Sequence, residues 1–247
     1  MDTDSFWTLL EDSRRQGNGG DKRDAWLRQA LARLPADGIV GFQACLDRLT
    51  DEAFTWNLRG AADRVFGGWC SDDDFRSFQH WMMGLGRAVF EAAVNDPDVL
   101  AYTPEVFRLA GRPRAAWSAE DRPGWAALDT LGLEAYELAT GPSEDFGDAF
   151  YAAVRAVVRA AARGSSYGSP YGPPYGSGRG VPRDADVPGQ AGAPAGPSAP
   201  PGSRDPAGIR WTALDEEEAA RRLPRLSVMF PLERPASGGL PPPVRRR

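Results

Sequence analysis

Residues 56–91 hold most of the side chains in this sequence that could take part in chemistry: Arg59, Asp63, Cys70, Asp72, Asp73, His80, Arg87 and Glu91, with Trp56 and Trp69 beside them. Residues of a helix starting at Ser71 step round its axis by about 100° each. Asp73, His80, Gly84, Arg87 and Glu91 then share one narrow sector, opposite Phe78, Met82 and Val89. His80 is the one histidine of the chain. In line with an arginine and a glutamate it reads as part of a ligand-facing seam, with His80 carrying a proton and Arg87 clamping an anion. The same spacing describes a solvated face on which Arg87 and Glu91 pair at i,i+4, worth roughly 0.2–0.5 kcal/mol. A lone histidine has no second imidazole to share an ion, so no metal site is expected.

Asp72, Asp73 and Asp74 invite a cation reading, because carboxylate oxygens hold Mg²⁺ and Ca²⁺. Consecutive helical side chains diverge by about 100°, however, so three in a row do not converge on one ion. A cap at Ser71 and the positive end of the helix dipole account for them more simply, at about 0.3–1 kcal/mol each. Arg59 and Asp63 stand one turn apart before Gly67-Gly68. Arg59 is expected to pair with Asp72 or Asp73 and hold that turn; joint recognition of a small anion by Arg59 and Arg87 is the second reading. Cys70 precedes a helix N-terminus, which favours a thiolate. His80 lies about 15 Å further along that helix by its rise, out of reach as a base. The surrounding carboxylates also oppose ionisation of the thiol, so a catalytic cysteine is not expected.

The elements that position these residues read as helices throughout. The apolar spacing predicts helices from about Ser5 to Gln16, from Asp21 through Leu34, and from Pro35-Ala36-Asp37 through Leu49 and Ala53. Trp56 to Phe66 forms a short fourth helix, stopped by Gly67-Gly68. The fifth starts after Ser71 and carries Phe75, Phe78, Met82, Leu85, Val89 and Ala93 as one continuous apolar face to Asn95-Asp96-Pro97, which places it centrally. Residues 97–123 are broken by prolines; Gly124 to Thr140 and Asp145 to Arg163 are helical again. No alternating strand pattern is present.

Composition then divides the chain of 247 residues. Seven of the eight tryptophans lie between Trp7 and Trp125, so residues 1–163 have material for a core. Residues 164–208 are rich in Gly, Pro and Ala, with Tyr167, Tyr171 and Tyr175 spaced by four. Ordering such a stretch costs roughly 1–2 kcal/mol per residue with little apolar burial in return, so a disordered insertion is expected. Structure is expected to resume over 209–230, with a short helix from Asp215 to Leu223 packing back on the helical domain, before a flexible basic tail over 231–247. The net charge of −5 splits into −8 for residues 1–163 and +3 for the rest. An acidic folded part repels phosphate backbones, which disfavours nucleic acid as a partner. Two cysteines build neither a disulfide framework nor a metal cluster, and fit a reducing cytoplasmic setting. No apolar run is long enough to cross a bilayer.

Several of these segments resemble a bacterial family known as domain of unknown function 4240. They are Phe6-Trp7, the run Trp56-Asn57-Leu58-Arg59-Gly60-Ala61-Ala62, and the turn Gly67-Gly68 with Ser71-Asp72-Asp73 and Phe75. Trp81, Gly84, Gly86-Arg87, Phe90-Glu91 and Asp96-Pro97-Asp98 follow, then Ala135-Tyr136-Glu137 and the segment from Asp215 to Leu226. The resemblance spans roughly residues 5–163 and 209–230, interrupted by the Tyr/Gly/Pro-rich stretch. It implies a helical domain and brings no activity with it. The expectation is therefore an all-α single domain with a disordered insertion. Its expected role is that of a non-enzymatic interaction or regulatory module with a groove near Trp56, Arg59, Trp69 and Arg87, needing no cofactor and taking a protein partner. The alternative is a domain that binds or transforms a small anionic ligand through Arg59, Arg87 and His80.

Overall fold

The computed structural model describes residues 1–16, 20–142, 147–164 and 205–232, with side chains to residue 161 in the third stretch. Every regular element among them is helical, and the only β-type pairing among the described residues is an isolated bridge between Thr55 and Ala207. The helices are α1 (Thr3–Arg15), α2 (Gly20–Ala32), α3 (Ala36–Glu52), α4 (Trp56–Val65), α5 (Asp72–Gly84) and α6 (Arg87–Asn95). A 3₁₀ turn over Pro97–Tyr102 leads into α7 (Pro104–Leu109), then α8 (Leu128–Thr140), α9 (Asp148–Gly164), α10 (Glu216–Arg222) and α11 (Pro224–Met229). The expected insertion lies, apart from Gly164 and residues 205–208, outside the described residues, and so does the tail beyond residue 232.

Local chemistry sets several helix starts. A helix leaves its first N–H groups without partners, and a short oxygen-bearing side chain at the N-cap accepts from them. Asp2 does this for α1, Thr55 for α4, Ser71 for α5 and Asp215 for α10, at 2.7, 3.1, 3.0 and 3.1 Å. The core forms where the apolar stripes meet. α3 is enclosed nearly all round, with Ile39 to Leu46 buried without a break. Phe6 of α1 lies 5.0 Å from Phe42, and Trp7 lies 5.5 Å from Phe90 of α6, which joins three helices through aromatic contact. α8 packs on α2 and α3, and α9 covers another side of α3.

One expectation is corrected. The apolar face from Phe75 to Ala93 does not belong to a single helix: the chain breaks at Leu85-Gly86 into α5 and α6. Gly86 has φ +109°, a region glycine enters without steric penalty. Two arginines from elsewhere serve the freed C-terminal carbonyls. Arg14 donates to Leu85 O at 2.7 Å and Arg23 to Gly84 O at 3.3 Å. Guanidinium groups are well placed there, at the negative end of the helix dipole. α5 itself is buried on several faces and packs on α1, α3, α4 and α6, so it shares the interior with α3.

Residues 205–232 pack against the first part of the chain. Ala207 bridges to the α4 entrance through Trp56 N–H to Ala207 O at 2.9 Å and Ala207 N–H to Phe54 O at 2.8 Å. Trp211 lies flat on Gly60, where a Cβ would come within 2.1 Å of the indole. Leu223 and Leu226 are fully buried and join the main core. Two buried ionic groups bind the segment in place. Arg64 of α4, with no exposed surface, donates to both carboxylate oxygens of Glu216 at 2.9 Å, to Ala213 O at 3.1 Å and to Ser227 O at 3.2 Å. Asp98 accepts from the N–H groups of Arg225 and Leu226 at the start of α11, which has no side-chain cap of its own.

Candidate functional site

The structure scatters the candidate residues over four places. Arg59, Asp63 and Asp72 come together at the Gly67-Gly68 turn, as the pairing argument expects. Arg59 donates to Asp72 Oδ1 at 2.7 Å and to Cys70 O at 2.8 Å, and Asp63 Oδ1 accepts from Cys70 N–H at 2.9 Å. Burial pushes the Cys70 thiol up to about 12, with the Asp63 charge adding to it. A thiol so held is inert as a nucleophile near neutral pH. The group clamps the turn that aims α5. Trp56, at its edge, carries Arg210 above its ring at 5.0 Å, whereas Trp69 is two-thirds exposed.

Asp73 and Arg87 face solvent in different places. Arg87 pairs with Glu91 at 2.6 Å, the i,i+4 contact of a solvated face, and with Asp4 of α1 at 2.7 Å. His80 is elsewhere again, fully buried beside the backbone of Trp125. Burial, reinforced by the nearby Arg76 charge and only partly offset by Asp129, lowers its pKa to about 4, so the imidazole is neutral at pH 7. The proposed seam of Asp73, His80, Gly84, Arg87 and Glu91 is therefore corrected on two grounds. The break at Gly86 rotates Arg87 and Glu91 away from the line of α5, and the side of α5 bearing Gly84 is roofed by Trp125. A Cβ on Gly84 would meet Arg23 at 2.9 Å and the Trp125 ring at 3.1 Å, while Arg23 stacks on that ring at 3.7 Å.

Two concavities lie away from all these residues. One is a cavity of about 520 Å³ between α3, α5, α8 and α9, walled by Gln43, Asp47, Arg76, Asp129, Tyr151 and Arg155 among others. Arg76 holds Asp129 through Nε at 2.8 Å and Nη2 at 2.7 Å. Asp47 accepts from Gln43 Nε2 at 2.9 Å. Its carboxyl is raised by burial, which the Gln43 bond and Arg76 offset in part. The Tyr151 phenol is also raised, by burial and then by the Asp129 and Asp47 charges. No set of three or more His, Cys, Asp or Glu side chains among the described residues is placed to hold a metal ion.

The second is an open apolar groove of about 870 Å³ at the seam between the 3₁₀ turn, α7 and α11. Tyr102, Phe107 and Val228 line it and are 67, 70 and 81% exposed. Ala101, Pro104 and Pro224 give it rigid walls. Its one charged lining residue, Arg225, has its guanidinium 4.8 Å from the Tyr102 ring and paired to Asp98 at 3.0 Å. Sequence reasoning missed both places. Each draws its residues from helices far apart in the chain, and exposed Phe107 and Val228 sit in short segments with no readable periodicity.

Residues 1–138 match the model of the family described as "Protein of unknown function (DUF4240)", and the chain belongs to that family. The match stops within α8, short of the extent over which the resemblance is drawn from the residues alone. No curated protein and no solved structure matches the chain. Among the described residues no helix is long and apolar enough to cross a membrane.

Proposed function

We propose that this protein is a non-enzymatic interaction module whose docking surface is the apolar groove of Tyr102, Phe107 and Val228. The observation that carries the reading is the gathering of exposed large apolar side chains in one place. Exposed apolar groups that cluster in a concavity, unlike scattered ones, mark sites of association. With Arg225 neutralised by Asp98, the groove favours a short apolar segment of a partner protein over a charged ligand. The groove expected near Trp56, Arg59, Trp69 and Arg87 is replaced in this reading: none of those four lines either cavity. The same holds for the Arg59, Arg87 and His80 set of the ligand alternative.

Selection of binders from a random peptide library on the immobilised protein, repeated with Phe107→Ser, tests this. The expected result is enrichment of apolar or aromatic peptides that bind the parent chain at least tenfold more tightly than the variant. No enrichment, or binding indifferent to Phe107→Ser, would refute the reading. Concentration-dependent dimerisation abolished by the same substitution would replace the foreign partner with a second copy of this chain.

A further inference from the structure

The cavity between α3, α5, α8 and α9 has a charge pattern that the groove does not share. Inside, Asp129 is held by Arg76; Asp47 has no ion pair among the described residues, accepts from the Gln43 amide and lies within the influence of the Arg76 charge. Gln43 is 2% exposed, and its Oε1 has no partner. That oxygen lies against α8 at Gly132, where a Cβ would come within 2.4 Å of it. That oxygen is sealed against α8, so the acceptor that the inner wall offers a ligand is the Asp47 carboxylate. A carboxylate without an ion pair of its own is costly in a partly desolvated place.

The outer wall is mixed in sign, with exposed Asp51 of α3 and two arginines of α9. Arg155 and Arg159 stand on one face of α9 at i,i+4, and no carboxylate among the described residues pairs with either. Arg155 and Arg159 are exposed, and Tyr151, Val154 and Val158 fill the wall between the two ends. A ligand suited to this place carries a donor cation at one end and an anion at the other, with a modest apolar body. The volume falls within the range of about 300–1,000 Å³ for small-molecule sites. We infer that the cavity binds a small zwitterion of the amino-acid or short-peptide class, its ammonium against Asp47 and its carboxylate against Arg155 and Arg159. This site is independent of the groove and requires no reaction.

Isothermal titration of the full chain with the standard amino acids and a set of dipeptides tests the inference. Ethylamine serves as the cation-only probe and acetate as the anion-only probe. The expected result is binding of at least one zwitterion, with both single-charge probes at least tenfold weaker. Asp47→Asn, which keeps an acceptor for Gln43, and Arg155→Gln with Arg159→Gln on the exposed face should each weaken that zwitterion at least tenfold. Thermal unfolding of each variant confirms that it folds, so a lost signal is attributable to the site. No binding by any zwitterion at millimolar concentration would overturn the inference. So would a hit unaffected by Asp47→Asn, or one matched by ethylamine or acetate alone. None of these outcomes bears on Phe107, so the two readings fail separately.

Discussion

Replacing Asp98 by alanine should loosen residues 205–232 from the rest of the molecule. Asp98 is 1% exposed and its two oxygens accept from Arg225 N–H at 3.0 and 3.1 Å, from Leu226 N–H at 2.9 Å and from the Arg225 guanidinium at 3.0 Å. It is the N-terminal cap of α11, supplied from a residue 127 positions earlier in the chain. Losing a helix cap costs about 0.5–2 kcal/mol. Each N–H left buried without a partner adds about 1–3 kcal/mol, less what water recovers. The sum is about 2–5 kcal/mol, and the Arg225 contact at the half-exposed end adds little. For a protein of this size that lowers Tm by about 2–4 °C per kcal/mol. Asp98→Asn keeps one good acceptor and should lose less than half as much. Thermal and urea unfolding of the three proteins measures both. An alanine variant within about 0.5 kcal/mol of the parent, the usual range of a neutral surface change, would refute the capping argument.

Three further outcomes follow from the same contacts. Glu216→Ala leaves the fully buried Arg64 with only the Ala213 and Ser227 carbonyls, and should cost about 2–3 kcal/mol in urea unfolding, below the usual range for a broken buried pair because Glu216 is itself partly exposed. Gly60→Ala, normally favourable within a helix by roughly 1 kcal/mol, should instead destabilise by about 1–3 kcal/mol, because the new Cβ collides with Trp211. His80 has a folded pKa of about 4 against 6.5, so the unfolded chain binds more protons between those values and stability falls as pH drops through that window. Relative to His80→Leu, the parent should lose about 2 kcal/mol between pH 7.5 and 4.5. The raised carboxyls of Asp24, Asp47 and Asp63 act in the opposite direction in both proteins and cancel in the comparison. Parallel pH profiles would contradict the burial of an uncharged imidazole.

What could be read from the sequence was local. Ser71 and Asp215 cap helices through contacts three residues away, and Arg59 finds Asp72 across a single turn. The all-helical class followed from apolar spacing that the structure bears out. The break at Gly86 escaped notice because Met82, Leu85, Val89 and Ala93 continue the apolar period through it, and periodicity does not register a left-handed residue. His80 looked solvated because its own helix places it opposite the apolar stripe. It is buried because α8 and the Trp125 segment, more than forty residues on, cover that side. Arg64 carried no visible signal and Asp98 only its place in the Asp96-Pro97-Asp98 segment, since their partners stand 152 and 127 residues away. For the same reason the polar cavity, with walls from α3, α5, α8 and α9, could only be seen after folding.

Native-state hydrogen exchange on the amides of α11 tests most directly whether residues 205–232 complete the core and build the groove. Leu226 N–H bonds to buried Asp98, and Leu223 and Leu226 lie in the same apolar cluster as Leu58 of α4. The α11 amides should therefore open with the same free energy as those of α3 and α4, in one cooperative unit. Exchange of α11 several kcal/mol more easily than α4, unchanged by Asp98→Ala, would show the segment to be a loosely attached appendage.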